Sequence, residues 1–367
     1  MFGVSINIII DDNGVIKQSI KAKIRADITS IEEEITIELS VYLPEHIEDP
    51  TPVQDFFDIH YSSKALPINS NLYIVSVKDY VFYIDLEKKS VNIADIWDGS
   101  IADDFEGGDG TAENPYIIYN AEQLAYFSNC VNNGENFEGK YIKLGNNIII
   151  NQYVSEELVE KNGKSLNTIN PIGTPTNPFK GMFEGNDFII YGFYCNKEKN
   201  SNIGLFGYIN SGKLNNIKMY GTYMKGKSNV GSIVGALYDS DAIAGGSNYI
   251  TITNCISEGL IFGNTSVGGI MGSCSFGNRT TISKCRNHCN ITASGGTIGG
   301  IVGYAGGRGT FSYCSNEGNV LSKSSSVGAI CGHTYNWPQF RYCYNKGSIK
   351  GVSNVRGDYR VSAGWCI

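Results

Sequence analysis

Apolar and polar residues alternate from the start of the chain. Val4, Ile6, Ile8 and Ile10 recur at every second position, and Asp11-Asp12-Asn13-Gly14 is a hairpin turn sequence. Ile20, Ala22, Ile24, Ala26 and Ile28 then alternate with Lys21, Lys23, Arg25 and Asp27. Ile35, Ile37, Leu39, Val41 and Leu43 alternate with Thr36, Glu38, Ser40 and Tyr42. A period of two predicts strands with one wet face. Residues 44–52 read as a loop, and two further strands are expected near residues 72–77 and 80–86. Residues 1–98 are therefore expected to form an antiparallel β domain.

Residues 99–115 are rich in Gly and Asp and read as a joint. A short helix is expected next. Asn120 is its N-cap, Glu122 and Gln123 lie in its first turn, and Leu124, Phe127 and Val131 share one face. Such a helix can cover the open end of a stack of strands, whose first layer would otherwise expose backbone and apolar groups.

Beyond residue 200 the pattern becomes a repeat. Ile203-Gly204-Leu205-Phe206-Gly207 is followed by Val230-Gly231-Ser232-Ile233-Val234-Gly235 and by three more copies, whose first glycines are Gly268, Gly299 and Gly328. The steps between these glycines are 27, 37, 31 and 29. Cys255, Cys285, Cys314 and Cys343 recur in phase with them, at steps of 30, 29 and 29. A fixed period near 30 means stacked units. Each unit has room for three short strands and three turns, one turn of a triangular coil. The cysteines would stack inward as a buried, reduced column, small and apolar enough for a narrow core.

Composition agrees with an all-β chain: Gly is 44 of 367 residues, well above the usual ~7%. Charge divides the chain. Residues 201–367 hold 5 acids against 14 Lys and Arg, a net of +9, whereas residues 1–200 hold 31 against 15, a net of −16. No run of 18 or more apolar residues occurs, so no membrane-spanning helix is expected. Residues 1–10 have no basic n-region and no small-residue cleavage site, and are read as strand rather than signal peptide.

The Gly-hydrophobic-hydrophobic-Gly cores and the Asn-Cys-x-x-x-Gly segments between them resemble the GLUG repeat of bacterial cell-surface and secreted proteins. That family includes adhesin-like proteins and accessory regions of some IgA-cleaving proteases. Gly108-Asp109-Gly110-Thr111-Ala112-Glu113-Asn114-Pro115, Pro171-Ile172-Gly173 and Pro178-Phe179-Lys180-Gly181 fit the opening segments of such solenoids. The likeness covers residues 107–350, and the segment 361–366 is a degraded echo of it. It implies a right-handed parallel β-helix over residues 116–367, the hand also following from the usual β-crossover. The resemblance carries architecture, not activity. With no export signal in view, the organisation suggests the tail fibre or receptor-binding protein of a phage or phage-like particle. In that reading residues 1–98 attach the chain to a tail or baseplate-like assembly, as a homo-oligomer. A bacterial cell-surface adhesin is the alternative, and a polysaccharide lyase or glycoside hydrolase a second.

Candidate chemistry is sparse. Residues 103–110 miss both the EF-hand pattern and the Gly-Gly-x-Gly-x-Asp nonapeptide, so a flexible acidic joint is expected rather than a Ca²⁺ site. Cys285, His288 and Cys289 resemble half a zinc site without a second half at metal spacing. Asp239 and Asp241 lie close together in a carboxylate-poor region, and would be the first residues to examine for glycoside hydrolysis. The expectation is no catalysis, no cofactor and no nucleic-acid partner. Tyr335 and Trp337, in a distal turn, and the basic Arg308 are the candidate ligand contacts. The expected partner is a bacterial surface polysaccharide or an anionic wall polymer.

Overall fold

The computed structural model describes residues 14–46, 48–237, 249–274, 279–307, 309–323, 326–352 and 355–356. The strand expected at residues 4–10 and the segment 361–366 lie outside the described residues. Contacts divide the chain into two units, residues 1–98 with 162–166, and residues 99–161 with 167–367.

The first unit holds α1 (Gly14–Glu45) and α2 (Pro52–Tyr61). A four-stranded antiparallel sheet follows, of β1 (Leu66–Pro67), β2 (Leu72–Val77), β3 (Tyr80–Asp85) and β4 (Ser90–Ala94), in that spatial order. The strands expected at residues 72–77 and 80–86 are present as β2 and β3. Those expected over residues 20–28 and 35–43 are corrected: both stretches belong to α1.

A helical period runs beneath the alternation. Ile24, Ile28, Ile31, Ile35, Leu39 and Tyr42 recur at three or four residues. Ile31, Ile35 and Leu39 are buried in one core with Val53, Phe56 and Phe57 of α2 and Val75, Val77 and Phe82 of the sheet. Ile37 and Val41, which a strand would have placed beside Ile35 and Leu39, are 64% and 60% exposed. Residues 15–43 contain no Gly, Pro or Asn, so two strands there would have no turn to join them. α2 begins with Pro52, whose fixed φ and missing N–H suit a first helical turn.

The second unit is a parallel β-solenoid with three faces: sheets of 8, 15 and 5 strands. In the eight-stranded sheet, Ile142, Phe183, Leu214, Ile252, Ile282, Phe311 and Phe340 stand in one inward column, rung above rung. The flanking residues form two outward columns. One reads Tyr141, Met182, Lys213, Thr251, Thr281, Thr310, Gln339; the other reads Lys143, Glu184, Asn215, Thr253, Ser283, Ser312, Arg341. Side chains alternate across a strand, so each apolar residue between two polar ones points into the core.

The expected helix is α3 (Ala121–Asn132). The Asn120 side chain accepts from the Gln123 amide at 3.0 Å, and the Gln123 side chain accepts from the Tyr119 amide at 2.7 Å. Its Phe127 ring lies 5.2, 5.6 and 6.0 Å from those of Phe137, Phe179 and Phe183, closing the interior beside the first rungs. A fourth helix, α4 (Glu156–Asn162), interrupts the rungs and was not expected.

The repeated glycines sit where rung meets rung. A Cβ on Gly268, Gly299 or Gly328 would come within 2.2, 2.1 and 1.9 Å of a backbone oxygen, and one on Gly272, Gly303 or Gly332 within 2.4 Å of backbone. Left-handed corners fall elsewhere, on Asn254, Lys284, Tyr313 and Tyr342, with φ of 53°, 55°, 55° and 54°. Next to those corners, Cys255, Cys285, Cys314 and Cys343 form a buried column without disulfides. Beside it runs a column of amides: Asn287 Nδ2 donates to Asn316 Oδ1 at 2.7 Å, and Asn316 Nδ2 to Asn345 Oδ1 at 2.6 Å.

Two tests follow from this packing. Ile35→Ala should cost about 2–5 kcal/mol of unfolding free energy, while Ile37→Ala should change it by less than about 0.5 kcal/mol. Chemical denaturation measures both, and equal effects would restore the strand reading.

The second test concerns the thiols. Burial pushes Cys285 well above its ordinary value. Cys314 and Cys343 are raised first by a hydrogen bond to the thiol of the preceding rung. Thiol reagents at neutral pH should reach the half-buried Cys130 and Cys331 well before the buried column. These thiols stay protonated in the folded chain and ionise once it unfolds. Their contribution to stability is therefore full below about pH 8.5. It is lost as pH rises toward the folded values, about 11 for Cys195 and Cys274, where burial is the cause. Fast labelling of the column, or stability rising over that range, would contradict the packing.

Candidate functional site

Exposed large apolar side chains are unevenly spread along the solenoid. Among the described residues none occurs between Tyr141 and Tyr313, and then five aromatics, Tyr313, Tyr335, Trp337, Tyr342 and Tyr344, appear on the last rungs with Leu321 and Val352. Tyr335 ends the strand Cys331–Tyr335 and is 50% exposed; Trp337 is 73% exposed. Asn336 and Trp337 both adopt left-handed backbone, with φ of 61° and 66°. Trp rarely accepts that conformation, because its Cβ crowds the backbone, so an exposed Trp held there marks a site worth testing. In register, His333 lies over Tyr304 with ring centroids 5.7 Å apart and planes 13° apart, and Tyr335 lies over Gly306. Arg308, the third candidate, is outside the described residues.

A second aromatic group lies on the last two rungs, and its Tyr313 was not expected from the sequence. Tyr313 and Tyr342 stack at 4.9 Å and 18°, and are 57% and 54% exposed. They occupy the left-handed corner that Asn254 fills two rungs before Tyr313, where Asn is well suited and Tyr is not. The signal was available: the residue preceding each ladder cysteine reads Asn254, Lys284, Tyr313, Tyr342. The period had been used to find the buried cysteine and not its exposed neighbour.

Between the two groups runs the strand Gln339–Arg341. Phe340 points inward, and Gln339 and Arg341 are exposed, the Arg341 guanidinium donating to Gln339 Oε1 at 2.7 Å. Beyond Tyr342, the Lys346 ammonium lies 5.4 Å from the centre of the Tyr344 ring. Trp337 and Tyr342 thus border a short polar, basic strip. Rigid aromatic faces beside cations can stack on sugar rings while holding anionic substituents.

The residues singled out for other chemistry are dispersed. Asp239 and Asp241 lie outside the described residues. Glu258 is buried, its carboxylate accepting from the Tyr153 hydroxyl at 2.9 Å and the Gly221 amide at 3.1 Å. Burial, and then this carboxylate, push the Tyr153 phenol far above its ordinary value. Cys285 belongs to the cysteine column, and the Cys289 amide donates to Asn287 Oδ1 at 3.0 Å. Among the described residues no three His, Cys, Asp or Glu side chains are grouped to hold a metal. In the joint, Asp109 accepts from the Thr111 amide and hydroxyl, a local turn.

No protein-family model matches the chain. A protein of Evansella cellulosilytica, provisionally named a Gly-rich membrane protein, is 30% identical over 154 residues, which is 42% of this chain but 16% of that protein. The chain therefore spans a small part of this relative. A crystal structure from Bacteroides ovatus, provisionally named an immunoglobulin A1 protease, superposes with a TM-score of 0.55 at 22% identity. That match covers 69% of this chain and 73% of the other, and it shows the shared β-solenoid fold.

Proposed function

We propose that the protein is a non-catalytic binding scaffold whose distal rungs recognise a bacterial surface glycan or anionic wall polymer. One observation carries this reading: among the described residues, exposed aromatic side chains are absent between Tyr141 and Tyr313 and gather on the last rungs, several in backbone conformations unfavourable to them. The basic surplus of residues 201–367 supports it, since such a field draws anionic partners toward the surface. The repeat of cysteines, Gly-x-x-Gly turns and Asn-Cys segments keeps the GLUG likeness as part of this reading.

In a phage or phage-like particle, the first unit would join the chain to the tail, as a homo-oligomer, and the solenoid would face the host. The second setting is a bacterial surface adhesin, favoured by the name of the Evansella relative. The protease name of the Bacteroides neighbour belongs to that protein; here no catalytic role is assigned to any described residue.

The test is binding of the full chain to purified bacterial cell walls across a salt series. Binding should weaken as salt rises, because exposed charges are screened beyond roughly 8 Å at physiological ionic strength. A Tyr335→Ala, Trp337→Ala double variant should bind about tenfold more weakly. An unaffected variant would remove the aromatic strip from the reading, and sugar fragments released during incubation would overturn the non-catalytic claim.

A further inference from the structure

The opposite end of the eight-stranded sheet carries a separate concave site. A groove of about 480 Å³ opens on the outer face of the sheet, between the loop Ala112 to Pro115 and the early rungs. Tyr141, Lys143, Lys213, Thr251 and Thr253 line it, together with the carboxylates Glu113 and Glu184. These residues come from four rungs, and only stacking brings them together.

The charges in the groove are not mutually satisfied. Glu184 is engaged at both oxygens. Oε2 accepts from Asn215 Nδ2 at 2.7 Å, and Oε1 accepts from Asn216 Nδ2 at 2.8 Å and the Asn186 amide at 2.9 Å. Asn215 in turn accepts from the Thr253 hydroxyl at 2.5 Å, so the carboxylate orders a polar chain across two rungs. Lys143 stands in the same column on the adjacent rung and Lys213 in the other outward column, yet neither forms an ion pair or a side-chain hydrogen bond among the described residues. Two ammonium groups without an anion, in a concavity that also presents a half-exposed Tyr ring, form a recognisable binding pattern. Cations meet an acidic substituent, the ring flanks an apolar sugar face, and hydroxyl and amide groups take the remaining hydroxyls.

The polar columns that line the groove run on past the fourth rung. They continue as Thr281 and Ser283, then Thr310 and Ser312, and reach Gln339 and Arg341 between the distal aromatics. At about 4.8 Å per rung, the six steps from Tyr141 to Gln339 make a polar track about 29 Å long. An extended polymer suits such a track better than a compact ligand.

We propose that the groove is a subsite for an acidic residue of a polysaccharide, with Lys143 and Lys213 holding its carboxylate or phosphate and the polymer running along the sheet toward the distal rungs. This rests on the reading of the protein as a glycan-binding scaffold, and adds a second site and a ligand class to it.

The experiment is calorimetric titration of the full chain with three probes: a galacturonic acid hexasaccharide, a glycerol phosphate hexamer and a neutral maltohexaose. The unaltered chain should bind at least one acidic probe and prefer it to maltohexaose. A Lys143→Ala, Lys213→Ala double variant should bind that probe at least tenfold more weakly, because charge-assisted contacts are lost. A Lys143→Arg, Lys213→Arg variant should retain most of the affinity, which separates charge from misfolding. Equal affinity in the alanine variant, equal binding of maltohexaose, or no binding of either acidic probe would overturn the proposal. Cell-wall binding that survives any of these failures and still depends on Tyr335 and Trp337 would leave the distal reading standing. Loss of wall binding by the unaltered chain would remove that reading as well.

Discussion

Backbone lies against backbone wherever one rung of this solenoid rests on the next, and the rest of the structure depends on that approach. The second glycine of each repeated turn, Gly272, Gly303 or Gly332, sits at the contact. A methyl group on Gly272 would lie 2.4 Å from the Val230 nitrogen, and one on Gly303 2.4 Å from the Val267 nitrogen. No side chain fits such gaps. With these turns seated, the three sheets can stay in register over many rungs. Identical positions then stack, which turns each position of the repeat into a column of like residues.

Columns explain how a narrow interior tolerates polarity. Asn287 donates to Asn316, Asn316 to the half-buried Asn345, and Asn345 to the Gly347 carbonyl, so none of these amides loses its partner. Burial and thiol hydrogen bonds between rungs raise Cys285, Cys314 and Cys343 above the ordinary thiol value. The same logic governs the surface. Lys218 pairs with Asp187 at 3.1 Å across adjacent rungs, and the hydroxyls of Thr and Ser form an array on the eight-stranded sheet. Chemistry that departs from its column stands out against this regularity, as Tyr313 and Tyr342 do at a corner that earlier rungs give to Asn and Lys.

On the proposed reading, binding lies in what the columns present rather than in any one pocket. The distal aromatic strip and the groove beside Tyr141 sit at two ends of one sheet face, joined by hydroxyls. A rigid track of this kind fits a repeating polymer, because its spacing is set by hydrogen-bonded rungs and does not relax around the ligand.

The repeat was legible because its period is carried by residues with no substitute: glycine where backbones touch, and small apolar cysteine in a tight interior. Those residues alone determined the parallel solenoid, and the Asn120 cap determined α3. The helix α1 was not legible as a helix. Its residues 20–43 satisfy a period of two and a period near 3.6 at once, and the lack of Gly, Pro or Asn over 15–43 is the one local feature against two strands. The choice came from Val53, Phe56, Phe57 and the sheet, which bury Ile31, Ile35 and Leu39 on one side and leave Ile37 and Val41 in water. The groove likewise existed only after folding. Lys143, Glu184, Lys213 and Thr253 are tens of residues apart along the chain, and the stacking of successive rungs alone makes them neighbours.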